Sequence, residues 1–65
     1  MINPNNCADV LEVMEDILEA DIPFKSVESL TERQREWFVK IYDKYIFGGV
    51  GIDEVKNVIN KLLYE

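Results

Sequence analysis

Apolar residues recur at helical spacing in three blocks of this chain, and a recognisable break separates each block from the next. In the first, Val10, Leu11, Met14, Ile17 and Leu18 line one face and Val13 widens the stripe. Asn5 or Asn6 can cap its start, because an asparagine oxygen accepts from an otherwise unpaired first-turn amide. Pro23 closes the block, since the residue before a proline is pushed out of helical geometry. Residues 23–30 read as a packed connector that Phe24, Val27 and Leu30 pin to the body. A second block follows, in which Gln34, Phe38, Ile41, Tyr42 and Tyr45 share a face and Trp37 flanks it. Thr31 with Gln34 has the spacing of a capping box, and Ser29 with Glu32 offers the same arrangement in a competing register. Gly48, Gly49 and Gly51 then break the pattern. Asp53 is positioned to cap a third block, whose stripe is Val55, Val58, Ile59, Leu62 and Leu63.

These patterns predict an all-α fold, a small three-helix bundle with segments near 7–21, 32–46 and 53–64. The whole chain, 1–65, reads as a single acidic helical domain. At 65 residues it buries only about 60% of the surface its unfolded form exposes, so its independent stability is expected to be small.

Charge changes this picture more than composition does. The net charge is −6, and residues 1–22 carry six acids with no Lys or Arg, whereas seven bases balance seven acids from position 23 onward. The imbalance therefore belongs to the first helix. Asp9, Glu12, Asp16 and Glu19 follow i, i+3, i+7 and i+10, a ridge of like charges built at a small repulsive cost. It is either a solubilising face or a surface that steers toward a basic protein. Trp37 and Phe47 add large side chains suited to the same contact. On the second helix, Arg33, Lys40 and Lys44 also share a face, with Arg35 beside it and Trp37 nearby. Such a face suits phosphate and a stacked base, but Glu32, Glu36 and Asp43 interrupt it.

The segment from Asp43 to Glu54 resembles the EF-hand calcium loop. Asp43 stands at the first position, Gly48 at the sharp turn, Val50 at the apolar position and Glu54 at the terminal carboxylate. Tyr45 and Phe47 occupy the third and fifth ligand positions, Gly49 offers a carbonyl, and Gly51 offers no side chain. Calcium takes about six to eight oxygens, so the resemblance implies a helix–loop–helix shape and no metal. A second resemblance lies in Ser29-Leu30-Thr31-Glu32-Arg33-Gln34 followed by Trp37, Ile41 and Tyr45. It is similar to a short helical element of several bacteriophage-encoded proteins, in which a Leu-Thr/Ser-x-x-Gln start introduces an aromatic-rich helix. That element covers about a quarter of the chain and implies no activity. It implies a phage or mobile-element setting, where small acidic modulators of other proteins are expected.

Enzyme chemistry is not expected. The chain has no histidine, Ser26 and Ser29 have no base partner, and the glycines lack the spacing and lysine of a phosphate loop. Cys7 is the single cysteine, so no internal disulfide and no zinc cluster are expected, and no cofactor is implied. The start of the chain lacks a signal-peptide pattern, and cytoplasmic is the expected location. The expected function is therefore that of a small acidic protein-binding module, an inhibitor or adaptor of a nucleic-acid-handling protein. Direct nucleic-acid binding through Arg33, Lys40 and Lys44 is the alternative, as is a structural subunit of a larger assembly. The large apolar inventory also suggests a homodimer, because three short helices enclose only part of it.

Overall fold

The computed structural model describes residues 2–65. It is all-α, and the chain order is α1 (Cys7–Leu18), α2 (Phe24–Glu28), α3 (Glu32–Ile46) and α4 (Ile52–Tyr64). The radius of gyration is 10.6 Å, against about 10.7 Å for a compact chain of this length.

Asn6, the second of the two candidate caps, opens α1: its side chain accepts from the Asp9 amide at 3.2 Å. Asp9 then lies in the first turn, where its charge meets the positive end of the helix dipole. The helix stops at Leu18, short of the expected residue 21, because the buried Ile22 pulls the chain back toward the core. Glu19 takes the left-handed conformation, with φ 54°, and the Glu15 carboxylate accepts from the Ile22 amide at 3.0 Å. Pro23 lies beyond this turn and starts the next element instead of ending the first.

The connector is the main departure from the three-helix expectation. Residues 24–28 form a short fourth helix, with Pro23 at its N-cap position in extended geometry. Val27 is fully enclosed and Leu30 nearly so, as anchors of this segment should be. Phe24 is instead 45% exposed and lies outside the core cluster. Five residues contain too few turns for periodicity to separate a helix from a packed loop, so only burial of Val27 decides its form.

Thr31 opens α3 with a complete capping box. Its hydroxyl accepts from the Gln34 amide at 3.1 Å, and the Gln34 side-chain oxygen accepts from the Thr31 amide at 2.8 Å. This excludes the competing Ser29–Glu32 register. At the other end, the amides of Gly48 and Gly49 donate to the Tyr45 and Lys44 carbonyls at 3.0 and 2.7 Å. That pairing is the Schellman arrangement, and it requires the positive φ of 82° at Gly48. Helix α4 has Gly51 at its N-cap position without a side-chain bond, so the expected cap Asp53 is instead the second residue of the helix, with Glu54 beside it in the first turn.

All four helices feed one core. Val10 and Met14 come from α1, Val27 from α2, Phe38 and Val39 from α3, and Val55, Val58 and Ile59 from α4, with Ile22 and Leu30 from the turns. Helix α4 is the hub: it packs against both α1 and α3, and α2 packs against α1. Helices α1 and α3 meet only marginally. Beyond the core, Arg35 ties the N-terminal segment to the start of α3. Its Nε donates to the Pro4 carbonyl at 2.7 Å, and its Nη1 donates to the Leu30 carbonyl. Among the described residues, no helix is long and apolar enough to cross a membrane.

Candidate functional site

Because α1 and α3 are both held by α4 and scarcely touch each other, a notch remains between them. It is an open groove of about 500 Å³. One wall is α1, which contributes Asp9, Glu12, Val13 and Asp16, at i, i+3, i+4 and i+7 and so on one helical face. The other wall is the C-terminal end of α3, which contributes Tyr42, Asp43 and Ile46, with Phe47 at its C-cap. Ile2 also lines the groove, in the segment that Arg35 anchors through Pro4.

The lining is divided by chemistry. Val13, Tyr42 and Ile2 are half-buried and give the groove an apolar interior, while Ile46 and Phe47 stand out from the α3 wall at 56% and 83% exposure. Asp9, Glu12 and Asp16 are exposed along the α1 rim, and Asp43 stands half-buried on the opposite wall. No basic residue lines the groove among the described residues. An apolar trough bordered by carboxylates on both sides can accept an apolar group that carries cations beside it.

Of the residues singled out from sequence, Asp9, Glu12, Asp16 and Phe47 come together here. Glu19 does not, because it forms the left-handed cap of α1 and leaves the line of the ridge. Trp37 is also separate: it is 41% exposed but does not line the groove. The basic candidates Arg33, Lys40 and Lys44 are all exposed on α3. Arg35 is occupied by two backbone carbonyls, so it is not a free member of that face.

Sequence reasoning missed Ile2, Tyr42, Asp43 and Ile46 as site residues. Tyr42 reads as core, and its ring does lie near Phe38, with centroids 6.0 Å apart. Asp43 reads as the first position of a calcium-like loop, yet it sits inside α3 and faces the groove. The one advance signal was Val13, an apolar side chain at i+4 from Asp9 within the acidic face. Among the described residues, no group of three or more Cys, Asp or Glu side chains is placed to hold a metal ion. Comparison with protein-family models, curated proteins and solved structures gave no match, so the geometry and chemistry of this groove carry the functional reading.

Proposed function

We propose that this chain is a small acidic protein-binding module whose contact surface is the groove between α1 and α3. The observation that carries the reading is the joining of Asp9, Glu12 and Asp16 to Phe47 and Ile46 around one apolar trough. Carboxylates speed and orient the encounter with a basic partner, and the apolar lining provides the burial that holds it. A phenylalanine left 83% exposed in a chain of this size is a candidate anchor. An inhibitor or adaptor of a nucleic-acid-handling protein fits, because such proteins carry the basic surfaces this rim complements.

Affinity capture from native extract, with nuclease treatment and a salt series, tests this function. The expected outcome is a basic protein that survives nuclease and is lost when Asp9, Glu12 and Asp16 are replaced by Asn, Gln and Asn. Capture that disappears entirely with nuclease overturns the reading. A second reading, direct nucleic-acid contact through α3, draws on one observation: Trp37 is exposed beside the exposed Arg33, Lys40 and Lys44. Against it stand the six acids of residues 1–22, which repel a polyanion.

A further inference from the structure

The shape of the groove limits what can fill it. Both walls are helices, and among the described residues there is no strand whose edge could pair with an extended chain. An extended peptide laid here would bring backbone N–H and C=O groups against side chains that cannot satisfy them all. A helix satisfies its own backbone. It also fits a notch between two helices, where rows of side chains interlock at interaxial distances of about 8–10 Å.

Charge then selects among helices. From Asp9 to Asp16 the α1 rim runs about 10 Å at about 1.5 Å per residue, with a carboxylate at each turn. Asp43 adds a carboxylate on the opposite wall. A second copy of this chain fits poorly, because a symmetric pairing would set one acidic rim against the other.

We infer that the occupant is a cationic amphipathic helix of a partner protein. It places apolar side chains at i, i+4 and i+7 in the trough against Val13, Ile46 and Phe47. Lys or Arg residues flank that stripe, their long stems lying on the walls and their charged ends reaching Asp9, Glu12, Asp16 and Asp43. The docked helix completes a bundle in which α1 and α3 both gain the neighbour they lack. This inference rests on the protein-binding reading above and adds the form of the partner.

The test uses the full chain and three synthetic peptides of about 15 residues, the length at which a helix can persist in water. One carries a leucine stripe flanked by lysines. The second has the same composition with the leucines spread around the helix, and the third has a central proline in the stripe. Amide shifts are followed to about 1 mM peptide, the range of weak specific binding. The expected result is saturable shifts in residues 9–16 and 42–47 with the first peptide. Affinity should fall about tenfold or more for each of the other two, since proline removes a helical bond and redistribution removes the stripe. The Phe47→Ala chain and the Asp9→Asn/Glu12→Gln/Asp16→Asn chain should each bind the first peptide about tenfold more weakly.

Equal binding of all three peptides in the groove overturns the helical form and leaves the acidic binding groove intact. No groove shift with any cationic peptide overturns both. Duplex DNA that instead shifts Arg33, Trp37, Lys40 and Lys44 replaces the partner class with nucleic acid. Sedimentation revealing a dimer that Phe47→Ala dissociates would place a second copy in the groove and refute the inference.

Discussion

Replacing Arg35 with Ala removes a clamp that joins distant parts of the chain. The guanidinium reaches the Pro4 carbonyl, 31 residues away, and the Leu30 carbonyl, five residues away. Hydrogen bonds from a charged donor contribute about 1.5–3 kcal/mol each when shielded. Both contacts are only partly buried and the freed carbonyls regain water, so about 2 kcal/mol for the pair is the expected loss. A chain of this length has about 3–10 kcal/mol in total, which makes that loss large. At about 4–8 °C per kcal/mol, the melting temperature should fall by about 8–16 °C. Urea unfolding followed by the fluorescence of Trp37, the only tryptophan, measures the free energy. Amide exchange measures the second consequence, which is release of residues 2–6 and with them the Ile2 side of the groove. Arg35→Lys should recover less than half of the loss, since one ammonium on a flexible stem lacks the fork that spans both carbonyls. A loss below about 0.5 kcal/mol, with unchanged exchange in residues 2–6, would refute the clamp.

Thr31→Ala should cost about 1 kcal/mol in the same urea assay, because it deletes the hydroxyl half of the α3 capping box. Glu19→Gly should stabilise the chain by about 1 kcal/mol, since a side chain at φ 54° is strained and glycine is not; a destabilised variant would contradict the left-handed cap. Phe47→Ala should leave stability within about 0.5 kcal/mol of the parent, because the ring is 83% exposed. A loss of several kcal/mol would mean that Phe47 supports the fold and that binding data on this variant reflect unfolding.

Local rules written in consecutive residues determined much of this protein without help from the rest of the chain. The α1 cap, the α3 capping box and the glycine stop after Ile46 each involve groups within a few positions of one another, so the sequence narrows the first two to a pair of candidates each, and the structure selects Asn6 and Thr31–Gln34. The apolar stripes of α1 and α4 follow in the same way, because helical period alone puts Val10 with Met14 and Val55 with Ile59. In α3 the buried pair is instead Phe38 with Val39, and Val39 lay outside the expected face. What involves distant residues was not legible there. The form of residues 24–28 depends on where Val27 can be buried, and the early end of α1 depends on the anchoring of Ile22. Arg35 reads as an ordinary surface base until Pro4 is brought beside it. The acidic ridge shows the same division. Its i, i+3, i+7 spacing was visible, but an apolar trough beside it required α4 to hold α1 and α3 apart. Periodicity places a side chain on a face of its own helix; only packing between helices decides what that face looks onto.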